Sequence, residues 1–293
     1  MPSILALSAL LAANASAPMT LDDYLALRGP DPAATVRYGP APSQYAELFL
    51  PAGKGPHPVA VLVHGGCWTV KFGGITQLRH LAGALAADGV AVWNVEYRRV
   101  DETGGGYPGT YLDISAALER LSAEAPARSL DTTRLVAIGH SAGGQLVQWM
   151  AGRARIPATS ALFQQNFLPV REVISLGGLA DLRREADAIA AGCGQGSAQL
   201  AGLASATRPD IFADTNAGDL HPNGSRTVLI TGERDTVSPP RIAIDYAARA
   251  TAAGDRAEAI VVPGASHYDE VAARGPVWPL LRQAVKRALV IER

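Results

Sequence analysis

Gly139-His140-Ser141-Ala142-Gly143 sets one serine hydroxyl between two glycines, a G-x-S-x-G pattern. Chance alone yields roughly 0.15 such matches in a chain of this composition, so the pattern needs its context. The apolar run Leu135 to Ile138 precedes it, and a helical run through Leu146, Val147 and Met150 comes after. Strand, sharp turn and helix together lift a serine clear of the backbone as a nucleophile. The glycines have a steric reason, because a side chain beside so tight a turn collides with strand or helix. The competing reading is a glycine-rich turn with an incidental serine.

A serine hydroxyl attacks only when a base takes its proton, and the base imidazole needs a carboxylate to orient it. Among six histidines, His57 falls in a Pro-rich turn, His80 in a helix body and His221 in a long irregular segment. His267 directly succeeds the last strand, in Pro263-Gly264-Ala265-Ser266-His267-Tyr268. Ligands of open α/β sheets collect at that carboxyl edge of the strands. Asp235, in Thr231-Gly232-Glu233-Arg234-Asp235 after the run Val228 to Ile230, reaches the same edge. Asp181 is the fallback acid, while Glu233 and Asp269 read as solvated loop carboxylates or caps. If His267 is the base, activity requires its neutral form.

Acyl transfer also needs donors aimed at the developing oxyanion. His64-Gly65-Gly66-Cys67-Trp68 comes after the run Val59 to Val63, and its glycines let consecutive N–H groups turn inward. The N–H of Ala142, at the start of the nucleophile's helix, adds another donor. An ordinary glycine-rich turn is the alternative. Trp68, Phe72, Tyr107 and Tyr268 flank these loops and are expected to line an acyl pocket, with core or rim packing as the other reading.

The elements that position these loops are legible as periods. Val59 to Val63, Val90 to Val95, Leu135 to Ile138, Val173 to Leu176, Val228 to Ile230 and Ala259 to Val262 are short apolar runs, as strands covered on both faces require. Tyr45 to Leu50 is expected as an antiparallel edge. Leu78, Leu81, Ala82 and Leu85 mark a helical face between strands, as do Ile114, Leu118 and Leu121, and later Leu281, Val285 and Leu289. Alternation of strand and helix predicts a mostly parallel sheet with helices on both faces. It lapses over Leu179 to Asn223, where an insertion of that length reads as a lid or active-site loop.

With these residues in place, the sequence resembles the α/β-hydrolase superfamily, in its hormone-sensitive-lipase-like and kynurenine-formamidase-like esterase branch. The resemblance spans about Tyr45 to Ile291. It rests on His64-Gly65-Gly66-x-Trp68, Glu96-Tyr97-Arg98, Gly139-His140-Ser141-Ala142-Gly143-Gly144 and the Asp235 and His267 loops. The order Ser141, Asp235, His267 agrees with that of the superfamily. The resemblance implies an α/β-hydrolase fold with an insertion after the sixth strand. It also implies oxyanion donors from Gly66, Cys67 and Ala142, with Gly65 shaping the turn. Cys67 departs from the HGGG form of the lipase-like branch, and HGGxW is similar to the form in formamidases and related small esterases.

Composition narrows the rest. With 26 basic and 27 acidic residues the formal charge is −1, so no summed field holds a nucleic acid. The chain lacks H-E-x-x-H, C-x-x-C and G-K-[ST], and Gly192-Cys193-Gly194-Gln195-Gly196 is preceded by no strand, so neither a metal nor a cofactor is expected. Ile4 to Ala13, with Asn14-Ala15-Ser16-Ala17 behind it, resembles a secretory signal, although no Lys or Arg precedes it. Residues 1–17 are therefore expected as a leader to periplasm or exterior, and 18–293 as one hydrolase domain without membrane insertion. A plain N-terminal helix and a cytoplasmic protein are the alternative. The two cysteines, Cys67 in the oxyanion loop and Cys193 in the insertion, sit on loops at one edge of the sheet, and an oxidising compartment would allow a bridge between them if the chain is exported. Two unrelated cysteines are the competing reading.

The expected activity is hydrolysis of small or short-acyl esters through an acyl-enzyme on Ser141. The residues 179–223 carry too few large apolar side chains for the lid of a lipase. An arylformamidase acting on an N-formyl aromatic amine is the second reading, and a catalytically silent binding protein the third.

Overall fold

Five neighbouring parallel strands, apolar on both faces, fix the architecture. The computed structural model describes residues 17–194 and 196–290, so most of the expected leader lies outside the described residues. The strands are β1 (Ala34–Arg37), β2 (Tyr45–Phe49), β3 (His57–Val63), β4 (Ala91–Val95), β5 (Leu130–His140), β6 (Glu172–Leu176), β7 (Arg226–Gly232) and β8 (Arg256–Val262). They form one sheet in the order β1-β2-β4-β3-β5-β6-β7-β8. β2 runs antiparallel to β1 and β4, and every later pairing is parallel.

The helices are α1 (Leu21–Ala26), α2 (Arg79–Ala87), α3 (Gly109–Glu124), α4 (Ala142–Gly152), α5 (Ala186–Cys193), α6 (Gly196–Ala201), α7 (Pro240–Ala252) and α8 (Trp278–Ala288). Side-chain alternation along the strands divides the interior in two. Val59, Val61 and Val63 pack with Tyr111 and Ile114 of α3, Leu146 and Trp149 of α4 and Tyr246 of α7. Ala60 and Leu62 point the other way, toward Leu81 and Leu85 of α2 and Leu281 and Val285 of α8. Each such large buried side chain contributes roughly 1.5–3 kcal/mol.

The strand pairing corrects two expectations. Tyr45–Phe49 is antiparallel but is not the edge, because β1 pairs outside it. Only Val36 of β1 is buried, and four residues with one buried position give no readable period. β1 also makes Glu172–Leu176 the sixth strand. His57 opens β3 rather than lying in a turn, since its N–H donates to Ser129 O at 2.9 Å.

The insertion after β6 is anchored rather than loose. Asn216 Nδ2 donates to Asp181 Oδ1 at 3.0 Å, Arg249 pairs with Asp181 Oδ2, and Trp149 Nε1 donates to Asp214 O at 2.8 Å. At the other end of the chain, the Thr20 hydroxyl accepts the Asp23 N–H and Asp23 accepts the Thr20 N–H, a reciprocal cap that starts α1. Met19 ties this segment to the His267 loop: its N–H donates to Asp269 at 3.2 Å and its carbonyl accepts from Ser266 Oγ at 2.7 Å. Among the described residues no helix is long and apolar enough to cross a membrane.

Candidate active site

β5 ends at His140 and α4 begins at Ala142, leaving Ser141 alone to make the turn at φ 53°, ψ −120°. That left-handed backbone is costly for a residue with a side chain and is held by its surroundings. Ser141 N–H donates to Leu176 O at 2.8 Å, and Ser141 O accepts from Leu179 N–H at 3.2 Å. A β-carbon at Gly139 would stand 2.2 Å from Gly143 O, and one at Gly143 would stand 2.2 Å from Val63 O. The motif's two glycines are thus steric requirements of the crossing between β5, α4 and β3.

His267 reaches the same place from the loop after β8, and Asp235 from the loop after β7. His267 Nδ1 lies 2.7 Å from Asp235 Oδ2, both side chains buried. A carboxylate only accepts, so Nδ1 carries the proton and Nε2 is left as the basic nitrogen. Asp235 Oδ1 accepts the N–H groups of Val237 and Ser238 at 2.8 and 2.7 Å, which fixes the carboxylate plane. His140 Nε2 donates to the His267 carbonyl at 3.0 Å and so holds the loop itself. Burial, then the nearby His267, push His140 well below the ordinary histidine range, so it stays neutral. Ser141 and His267 line one cavity of about 50 Å³ with Leu21, Tyr24, Gly66, Cys67, Phe72 and Tyr268 among its walls.

The His64 segment bends through successive left-handed residues, Gly66 at φ 101°, Cys67 at 51° and Trp68 at 56°. Such a run turns consecutive N–H groups toward one side. Its base is fixed by His64, whose Nε2 lies 2.7 Å from Glu96 Oε1 and whose carbonyl accepts from Tyr97 Oη at 3.0 Å. Burial alone would raise Glu96, but His64, Arg99 and the Ile75 N–H overcome it and hold the carboxylate below its usual range. The loop is also joined covalently to the insertion by a disulfide between Cys67 and Cys193, with Cα atoms 5.3 Å apart.

Two of the expected pocket aromatics are elsewhere. Trp68 is fully buried in the core, and its indole N–H donates to Ala142 O at 3.2 Å, so it braces the loop against α4 instead of facing substrate. Tyr107 lines a different cavity, its hydroxyl donating to Asp214 at 3.1 Å and its ring covered by Arg208 at 3.6 Å. Phe72 and Tyr268 do line the cavity of Ser141. The rival residues have structural partners: Asp181 is saturated by Asn216, Arg249 and two backbone N–H groups, and His221 pairs with Asp255 at 2.6 Å. Glu233 caps Gly264 N–H, and Asp269 caps Ser266 N–H.

Sequence reasoning missed Leu21 and Tyr24, which α1 adds to the cavity wall, where the Tyr24 ring stacks on Tyr268 and tilts against His140 at 5.6 Å each. It also missed Glu270, fully buried 3.8 Å from His267 Nδ1. Its place one helical-type step beyond His267 was the only signal.

A serine raised on a strained turn, an imidazole held by a buried carboxylate and a left-handed glycine loop lining the same cavity, at the carboxyl edge of a mostly parallel sheet, define an α/β-hydrolase-fold esterase of the serine hydrolase class. Residues 46–248 match the BD-FAE family model, more than half of the chain, and the protein belongs to that family. Solved structures share the fold. Esterase B from Lactobacillus Rhamnosis (HN001) superposes with a TM-score of 0.74 at 21% identity, covering 92% of this chain and 89% of that one. A truncated carbohydrate esterase from gut microbiota gives 0.71 at 18%, covering 88% and 95%. A bacterial heroin esterase gives 0.66 at 24%, covering 84% and 78%. No curated protein matches the chain in sequence.

Proposed function

We propose that the protein hydrolyses small, short-acyl esters through an acyl-enzyme on Ser141. His267 takes the serine's proton as base and returns it to the leaving alcohol, while Asp235 fixes the imidazole tautomer and steadies the imidazolium. The N–H groups of Gly66, Cys67 and Ala142 receive the oxyanion, and Gly65 shapes their turn; a β-carbon there would stand 2.9 Å from both Ser141 Cβ and His140 O. The observation that carries this reading is the shared cavity of Ser141 and His267. Its small volume, about 50 Å³, supports a preference for a short acyl group. The tethered, polar insertion supports the same preference. We also propose that the mature protein works in an oxidising compartment, a reading supported by the Cys67–Cys193 bridge.

The test is a panel of p-nitrophenyl esters of graded chain length, acetylated sugars and N-formylkynurenine, run with wild type and Ser141→Ala. Acetyl to butyryl esters should be hydrolysed fastest, with the variant losing at least ~10³-fold in kcat and all fluorophosphonate labelling. Wild-type-like turnover by the variant would overturn the nucleophile. Faster cleavage of palmitoyl than butyryl esters would overturn the chain-length limit, and faster cleavage of the formamide the ester preference.

A further inference from the structure

Acyl transfer by Ser141, His267 and Asp235 leaves one buried acid without a task. Glu270 is fully buried, and its Oε1 accepts the Gly232 N–H at 2.7 Å. Its Oε2 has no donor among the described residues, and both it and Asp235 Oδ2, the oxygen that holds His267, face the Gly177 α-carbon. The α-carbon of Gly177, just beyond β6, is crowded by both: a β-carbon there would lie 2.0 Å from Glu270 Oε2 and 2.9 Å from Asp235 Oδ2. His267 Nδ1 lies 2.7 Å from Asp235 Oδ2 and 3.8 Å from Glu270 Oε2. The titratable groups facing Glu270 are Asp235, His267 and His140, whose ligating atom comes within 4.8 Å of those of Glu270 and His267. Thr231 and Gly232 add a hydroxyl and an N–H. No lysine or arginine is among them.

Two carboxylate oxygens, both acceptors, do not share a dry site without a proton between them. We propose that Glu270 is a protonated positioning residue that donates from Oε2 to Asp235 Oδ2 and thereby tunes the basicity of His267. The inference rests on the proposed roles of Ser141, His267 and Asp235. Burial, and then the charge of Asp235, raise Glu270 well above the ordinary carboxyl range, in agreement with the geometry. Asp235 then spreads its charge over four donors: the N–H groups of Val237 and Ser238, His267 Nδ1–H and the Glu270 hydroxyl. A carboxylate so shared attracts the imidazolium less, so His267 releases its proton to the leaving group more readily. An ionised Glu270 would do the reverse, adding a second negative charge beside the imidazole.

The test pairs two variants with a readout that needs no turnover. In infrared difference spectra at neutral pH, wild type against Glu270→Gln should show the carbonyl stretch of a protonated carboxylic acid, in active protein and in a Ser141→Ala background alike. Glu270→Ala removes the donor, and should lower kcat and move the acid limb of kcat/KM upward by about half a pH unit or more. Glu270→Gln restores a neutral donor to Asp235 and an acceptor to Gly232, and should return the limb to its wild-type position. An absent infrared band, or a limb that Glu270→Gln moves downward, would show that Glu270 carried charge and would overturn the proposal. An unmoved limb in a folded Glu270→Ala protein would overturn it too. Should the alanine variant fail to fold, the glutamine variant and the spectrum still decide. An active Ser141→Ala enzyme would sink the catalytic reading instead, and is told apart by the ester panel.

Discussion

Cys193→Ser cuts the one covalent link between the oxyanion loop and the insertion while leaving Cys67 in place. The bridge spans a sequence separation of 126 residues. Closing a loop of that length removes about 16 cal/mol/K from the unfolded chain, so its loss costs up to about 5 kcal/mol at 25 °C. Taking an unfolding entropy of ~2.1 cal/mol/K per residue, the chain has ~0.6 kcal/mol/K at its midpoint, and Tm should fall by about 8 °C. The second effect is local. Cys67 and Trp68 both hold left-handed backbone at φ 51° and 56°. Each such residue is strained by roughly 1–2 kcal/mol, so the loop relaxes when an anchor is removed. Misaiming one oxyanion donor costs ~10²-fold in kcat or more, with KM little changed. Thermal scans and p-nitrophenyl acetate kinetics measure the two effects on the same samples, with a thiol count of denatured, unreduced wild type as control. A variant with Tm and kcat both equal to wild type, the wild-type thiol count showing a bridge, would refute the reasoning. A lowered Tm with an intact kcat would refute its local half, leaving the Trp68 bond to Ala142 as the anchor that matters.

Tyr24→Ala should widen the cavity that α1 helps to wall, raising the octanoyl-to-acetyl ratio of kcat/KM by about tenfold or more; an unchanged ratio would remove α1 from the acyl pocket. Glu270 also predicts a pH dependence of stability. Its folded-state pKa lies above the unfolded value of 4.5, so the native protein holds an extra proton and the group's contribution is full below that value and falls as pH rises. Glu270→Gln should therefore gain Tm over wild type at pH 8, with the gain shrinking toward pH 5, and a flat difference between the two would count against a neutral Glu270.

The parts of this site that could be read in sequence are those where chemistry constrains the local backbone. Ser141 needs a left-handed turn, the turn needs Gly139 and Gly143, and the strand before it needs an apolar run; all of that lies within about ten residues. The loops of Asp235 and His267 are equally local, each a strand end with its polar residue just beyond. The aromatic wall was legible only in part, because nearness in sequence does not say which way a side chain turns. Trp68 adjoins the oxyanion loop's Gly66-Cys67 yet points into the core, where its N–H finds Ala142 O. Tyr107 lies beyond β4 yet serves Asp214 and Arg208. Tyr24 was out of reach because its contacts to His140 and Tyr268 span more than a hundred residues, and no period marks a six-residue helix.

The least legible contribution is a missing side chain. At their carboxyl ends β3, β5, β7 and β8 carry the loops of Cys67, Ser141, Asp235 and His267, and β6, lying between β5 and β7, carries the insertion, with no residue proposed for the proton transfer. β6 gives way instead to Gly177, at φ 49°, its N–H bound to Ile230 O at 2.9 Å. Any larger residue would occupy the space where Asp235 and Glu270 meet. Parallel neighbours bring Ser141 and His267 to one edge, but a carboxylate between them also needs room, and β6 supplies it by ending in glycine. The acid–base pair therefore depends on a position with no chemistry of its own, whose role appears only once the strands are placed side by side.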